Sequence, residues 1–151
     1  MDIIWSNGCY DILHRGHLEL LKYARSLGDK LVVGIDSDKK VRKSKGEGRP
    51  VNNQEDRKFF LESLIYVDEV IIFNTAEELE GRVESIRPKF IVIGSDYKDK
   101  KVVGGEHARS GIKFFERIGG YSTTNILNNG YIQDNERQSE VNSRRSSSSS
   151  L

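Results

Sequence analysis

Apolar residues in this chain gather in five short runs: Ile3-Ile4-Trp5, Leu31-Val32-Val33-Gly34-Ile35, Val70-Ile71-Ile72-Phe73, Phe90-Ile91-Val92-Ile93 and Ile112-Lys113-Phe114-Phe115. Short continuous apolar runs of this kind read as strands buried on both faces. The stretches between them are longer and amphipathic. Leu18, Leu20, Leu21, Ala24 and Leu27 recur at helical spacing and predict a helix over 16–27, with Gly28 at its C-terminus. A second helix is expected over 53–65, with Phe59, Phe60, Leu64 and Ile65 toward the core. Thr75-Ala76-Glu77-Glu78 has the form of a capping box and opens a third, running to about Ile86. Residues 39–49, after Asp36-Ser37-Asp38, are basic, carry glycines and read as a loop. Strands separated by helical stretches predict a parallel α/β sheet with right-handed crossovers. No internal repeat is present.

The pattern stops near residue 129. Residues 133–151 are Ser, Glu, Asn and Arg with almost no large apolar side chains, ending in a serine run. Such a segment buries too little surface to offset its ordering entropy. The expected organisation is one folded domain over 1–128 and a polar, Ser-rich, disordered tail over 129–151. The 36% hydrophobic content and the mean hydropathy of −0.58 are low for a globular chain because the tail depresses both. A net charge of +1 leaves no overall field to attract nucleic acid or an anionic membrane, and the basic residues form no stripe with interleaved aromatics. No apolar run approaches the length of a membrane span. One cysteine, Cys9, cannot form an internal disulfide. No basic, apolar leader precedes the first strand. Cytoplasm is the expected compartment.

Candidate chemistry lies directly after the first strand, in Asn7-Gly8-Cys9-Tyr10-Asp11-Ile12-Leu13-His14-Arg15-Gly16-His17. The segment falls where a strand ends and a helix begins, the place where open parallel sheets bind ligands. His14 and His17, three apart, face the same way on a first helical turn. Free N–H groups and the helix dipole favour an anion there, and each imidazole can donate a hydrogen bond. Gly8 permits a tight turn and Gly16 a close ligand approach. Taken alone, the pair is also compatible with two surface histidines, or with zinc, although zinc sites draw on richer Cys/His sets than this chain offers.

The stretch from Gly8 to His17 resembles the cytidylyltransferase-like nucleotidyltransferases, which join a nucleoside monophosphate to a phosphorylated alcohol or sugar and release pyrophosphate. Gly120-Tyr121-Ser122-Thr123-Thr124-Asn125-Ile126 resembles the second nucleotide-binding motif of that family, in the same order along the chain. The resemblance covers about residues 1–128. It implies a Rossmann-like three-layer α/β/α fold with a five-stranded parallel sheet. Lys45-Gly46-Glu47-Gly48-Arg49-Pro50-Val51-Asn52, Gly94-Ser95-Asp96-Tyr97 and Val102-Val103-Gly104-Gly105-Glu106 are similar to the branch that makes ADP-heptose from ATP and heptose 1-phosphate. Two features depart from that branch. Arg117 stands where the glycerol-3-phosphate cytidylyltransferases, which use CTP, carry an arginine. Ser95 replaces the second glycine of a usual Gly-Gly-Asp-Tyr.

The resemblance implies roles residue by residue. His14 and His17 go to the nucleotide phosphates, with His17 nearest the α-phosphate, and Lys45 to the triphosphate from a closing loop. Gly8, Cys9, Tyr10, Asp11 and Gly16 form the nucleotide-binding turn. Gly94 and Asp96 line the base or ribose pocket, and Ser122, Thr123 and Thr124 bind β- and γ-phosphates at a last helix start. Arg117 reaches the triphosphate or a partner subunit. Asp11 is expected to hold Mg²⁺ or a lysine, or else to serve as a turn residue. Arg57 is a candidate phosphate contact that could equally pair with a local acid, and Arg49 is a further candidate. Trp5 is expected in the core, Cys9 as a packing residue and not a nucleophile, and His107 as an exposed loop histidine. The implied partners are a nucleoside triphosphate with Mg²⁺, a small phosphorylated sugar or polyol, and a second copy in a homodimer. A non-catalytic nucleotide-binding module is the reading from a different class.

Overall fold

The computed structural model describes residues 1–116, so Arg117, Ser122, Thr123, Thr124 and the tail lie outside the described residues. All five predicted strands form: β1 (Ile3–Gly8), β2 (Lys30–Asp36), β3 (Glu69–Phe73), β4 (Phe90–Gly94) and β5 (Ile112–Phe115). They make one parallel sheet in the order β3-β2-β1-β4-β5. Among the described residues four α-helices accompany them: α1 (Arg15–Ser26), α2 (Asp38–Lys45), α3 (Gln54–Glu62) and α4 (Ala76–Ile86). On one face, Leu20, Leu21 and Ala24 of α1 and Leu61 of α3 pack on Ile4, Leu31, Val33, Ile35 and Val92. On the other, Leu79 and Val83 of α4 cover Trp5, Val32, Phe73, Ile91 and Ile93. The arrangement is the expected three layers around a sheet buried on both faces.

Two helical expectations change. The predicted basic loop over 39–49 is largely helix α2. Ser37 caps it by accepting the Lys40 N–H, and Val41 is its one buried anchor. Arg42, Lys43 and Lys45 sit in the last turn, where the helix dipole favours cations. Gly46, at φ +91°, then ends it. A single apolar residue gives no periodicity to detect, which is why the pattern reads as a loop. In α3, Phe59 and Phe60 face outward and Ile65, beyond the helix, is 87% exposed. The buried positions are Arg57 and Leu61, one turn apart, and of the expected core residues only Leu64 packs partly against it. Arg57 and Leu61 together anchor α3, and hydrophobic patterning does not register the arginine. At α4 only half of the expected capping box forms: Thr75 Oγ1 accepts the Glu78 N–H at 3.1 Å, but the Glu78 carboxylate accepts the N–H of Asn74 at 2.7 Å, one residue before the N-cap, and not that of Thr75.

The ladder between β1 and β4 is short. Ile4 pairs with Phe90 and Trp5 with Ile91, whereas β1 pairs with β2 all the way to Gly8. Beyond Trp5, β1 and β4 part, and a crevice opens between their C-terminal ends. In strand order this is the switch point, where the chain has moved outward through β2 and β3 and returns on the other side of β1.

Candidate functional site

The crevice is a cavity of about 310 Å³, a size that holds small-molecule ligands. Its walls come from Gly8 at the end of β1 with Cys9 and Tyr10 after it, Gly16 and His17 on α1, Lys45 at the end of α2, and Gly94 at the end of β4 with Asp96 after it. These are residues expected from sequence, drawn from four separate stretches of chain. Asn7 and Tyr97 also line it and were not among the expected site residues. Asn7 could have been found from its place at the β1 terminus, two residues from Trp5 on the same strand face.

The two histidines cap their own helix. His14 is the N-cap of α1, and its Nδ1 accepts the Gly16 N–H at 3.1 Å. The His14 N–H in turn donates to His17 Nδ1 at 3.3 Å. The rings stack with centroids 3.9 Å apart. With each Nδ1 acting as acceptor, the proton of each neutral ring sits on Nε2. The motif thereby sets both tautomers through backbone bonds. His14 is buried and His17, half-buried, lines the cavity.

Tyr10 turns the chain between strand and helix at φ +51°, a conformation costing about 1–2 kcal/mol in a non-glycine residue. It is held there by burial and by a 3.0 Å hydrogen bond between its hydroxyl and Ser6 Oγ. Its ring also lies 5.1 Å from that of His17. The Cys9 thiol is pushed up from its ordinary pKa by burial, with Lys45 and Arg57 pulling weakly the other way. It is a poor thiolate and fits the expected packing role.

Asp11 does not suit a metal ligand. Its buried carboxylate accepts the Val51 N–H at 2.8 Å, the Asn52 N–H at 2.8 Å and Arg49 Nε at 3.2 Å. Asn52 Nδ2 also donates to the Asp11 carbonyl at 2.7 Å. Both oxygens are occupied, and Asp11 ties the motif turn to the segment after α2. Among the described residues, the side chains that come together as a three-ligand cluster are Glu80, Glu106 and His107, which do not line the cavity. The described residues therefore offer no protein cage for Mg²⁺, an ion that often binds chiefly through substrate phosphates.

Arg57 is likewise a tie and not a surface cation. Its guanidinium is fully buried and donates to the carbonyls of Asn52 (3.0 Å), Cys9 (2.8 Å) and Asp36 (2.8 Å) and to Asp38 Oδ1 (2.8 Å). One side chain fastens the ends of β1 and β2, the start of α2 and the segment before α3. Its four protein acceptors include the local acid Asp38, and the fully buried guanidinium presents no exposed edge to the cavity. Arg49 is partly different: Nε pairs with Asp11, while its buried Nη2 has no partner among the described residues. His107, expected on an exposed loop, is half-buried in a short 3-10 turn, with Nε2 at 3.6 Å from Glu80 and 3.7 Å from Glu84. Trp5 is in the core as expected.

Residues 5–146 match the family model described as cytidylyltransferase-like. The chain is 45% identical over 126 residues to the bifunctional protein HldE of Campylobacter fetus subsp. fetus, covering 83% of this chain and 27% of that one. It is 45% identical over 135 residues to the bifunctional protein HldE of Aliarcobacter butzleri, covering 89% of this chain and 28% of that one. The chain thus spans a little over a quarter of the length of these relatives. In structure it is similar to a lipopolysaccharide core biosynthesis protein from Thermoplasma volcanium, with a TM-score of 0.65 and 25% identity, covering 78% of this chain and 98% of that one.

Proposed function

The chain belongs to the cytidylyltransferase-like family, and from that premise we propose that it transfers the adenylyl group of ATP to D-glycero-β-D-manno-heptose 1-phosphate, releasing pyrophosphate and forming ADP-heptose. The observation that carries this reading is the crevice between β1 and β4, which gathers His17, Gly16, Lys45 and the strand ends around one cavity. In the reaction an oxygen of the sugar phosphate attacks the α-phosphorus in line, and the bond to pyrophosphate breaks. A phosphate nucleophile is already anionic, so no strong base is needed. Positioning and stabilisation of charge carry the rate. His17, with its proton on Nε2, is assigned to donate to an α-phosphate oxygen as charge develops. His14, stacked behind it, supports that ring and the phosphates. Lys45 is assigned to the leaving pyrophosphate, and Gly8, Cys9, Tyr10, Gly94 and Asp96 to the nucleotide. Arg117, Ser122, Thr123 and Thr124 are assigned to the triphosphate on the family motif alone. When bound with the triphosphate, Mg²⁺ would offset phosphate charge.

The chain corresponds to one part of its bifunctional relatives, and the adenylyl-transfer part is the one proposed here. A homodimer is proposed as well. Phe59 and Phe60 on α3 and Ile65 just after it are exposed large apolar side chains, of the kind a second copy could cover. Its test is the oligomeric state of Ile65→Lys, expected to shift toward monomer. No helix among the described residues is long and apolar enough to cross a membrane.

Pyrophosphate release with Mg²⁺, measured for ATP and CTP against heptose 1-phosphate and glycerol 3-phosphate, tests the function. A signal confined to ATP with the heptose is expected. Turnover only with CTP and glycerol 3-phosphate moves the chain to the other branch. His17→Ala is expected to lose turnover while ATP binding largely survives, an outcome a non-catalytic nucleotide-binding module has no turnover to show.

A further inference from the structure

The geometry points to Asn7 as a hydrogen-bond donor to a substrate phosphate oxygen, with Trp5 as the positioning residue that fixes which end of its amide faces the cavity. Trp5 Nε1 lies 2.9 Å from the Asn7 side-chain oxygen. An indole nitrogen can only donate, so the Asn7 atom facing it must be Oδ1. The amide nitrogen is therefore turned the other way. Asn7 lines the cavity, and Nδ2 has no hydrogen-bond partner among the described residues.

The indole is itself held in place. Trp5 is fully buried, and it lies against Gly34 of β2, the residue that pairs with Asn7. A Cβ at Gly34 would come within 2.5 Å of Trp5 Cζ2, so the ring occupies the space that a side chain there would take. Gly34 makes room for Trp5, Trp5 orients Asn7, and Asn7 presents N–H to the cavity. An unrestrained asparagine offers either its oxygen or its nitrogen. Here the choice is made by a core residue.

The ligand chemistry follows from the company Asn7 keeps. Lys45 and His17 line the same space, and both suit an anion. An amide oxygen aimed there would repel phosphate, whereas an amide N–H adds a donor without adding charge. The phosphate could belong to the nucleotide or to the sugar phosphate. This inference rests on the nucleotidyl-transfer reading for the name of its ligand, and on the Trp5–Asn7 geometry for the donor.

The test is a steady-state and binding comparison of wild type, Asn7→Ala, Asn7→Asp, Trp5→Phe and the Trp5→Phe/Asn7→Ala double variant. ATP, CTP and inorganic pyrophosphate serve as calorimetric probes, and the folded fraction of each variant is measured by urea titration. Loss of one donor to a charged acceptor is expected to raise KM for ATP or for heptose 1-phosphate by about 10- to 100-fold in Asn7→Ala. Which of the two KM values moves identifies the phosphate. Asn7→Asp is expected to be at least as severe, because one oxygen takes the indole N–H and the other meets phosphate. Trp5→Phe is expected to be milder, and the double variant no worse in binding than Asn7→Ala, since Trp5 acts through Asn7. Binding and both KM values within about twofold of wild type in Asn7→Ala, or in Asn7→Asp, overturn the inference. Were wild type to turn over no substrate pair yet bind ATP more tightly than Asn7→Ala does, the reaction assignment would fall and the donor role of Asn7 would stand. Wild type binding neither ATP, CTP nor pyrophosphate overturns both.

Discussion

Replacing Arg57 by lysine or methionine separates a phosphate ligand from a buried tie. The guanidinium bonds four acceptors in four segments, and three of them are main-chain carbonyls. A lysine keeps the charge but concentrates its donors on one nitrogen. It cannot reach the Asn52, Cys9 and Asp36 carbonyls and the Asp38 carboxylate together. Each buried acceptor left unsatisfied costs about 1–3 kcal/mol, and water or a shifted loop recovers part of that. Asp38 is 24% exposed at its side chain and can be rehydrated more readily than the carbonyls. Breaking a buried charged arrangement from one side typically costs about 3–5 kcal/mol, and that is the loss expected for both variants. It is a large share of the roughly 5–15 kcal/mol that holds a domain together. The assay is urea unfolding followed by fluorescence of Trp5, the single tryptophan and fully buried. A loss below about 1 kcal/mol in Arg57→Lys, together with a raised KM for ATP, would refute the tie and return Arg57 to the phosphates.

Asp11→Asn is expected to lower stability by about 1–3 kcal/mol, because an amide group cannot accept from all three donors. Turnover should fall with the Mg²⁺ requirement unchanged, and a raised half-saturating Mg²⁺ concentration would restore Asp11 as a metal ligand. Gly34→Ala is expected to lose about 1–3 kcal/mol through overpacking against Trp5, with a shifted Trp5 emission; unchanged emission and stability would contradict the close approach. Cys9 is expected to react slowly with iodoacetamide at pH 7, faster as pH rises toward its raised pKa, since burial disfavours the thiolate. Alkylation at pH 7 at the rate of a free thiol would show that burial does not govern it.

Local patterning was enough to place five strands within about one to three residues at each end, because each is a short apolar run with no competing period. It also placed His14, Gly16 and His17 at a helix start, since a strand-turn-helix transition is written in adjacent residues. The domain boundary at 128 and the second motif fall among residues 117–151, beyond those described. What patterning missed shares one cause. Helix α2 depends on a Ser37 cap and a single buried Val41, so it carries no hydrophobic signature; α3 is legible as a helix, but its buried face includes an arginine that hydrophobic patterning does not register. Asp11 and Arg57 read as site residues because charged groups beside a phosphate motif look functional from the chain alone. Only the tertiary fold, by carrying residues 49–57 against the motif turn, fills their hydrogen-bonding capacity with protein. The amide of Asn7 is the same lesson in reverse. Its orientation is decided by an indole two residues away, which is lodged over a glycine of the neighbouring strand. Sequence by itself determined which groups could meet a phosphate. The packing of the sheet decided which of them face the cavity and which hold it open, because hydrogen-bond capacity is finite and burial decides where it is used.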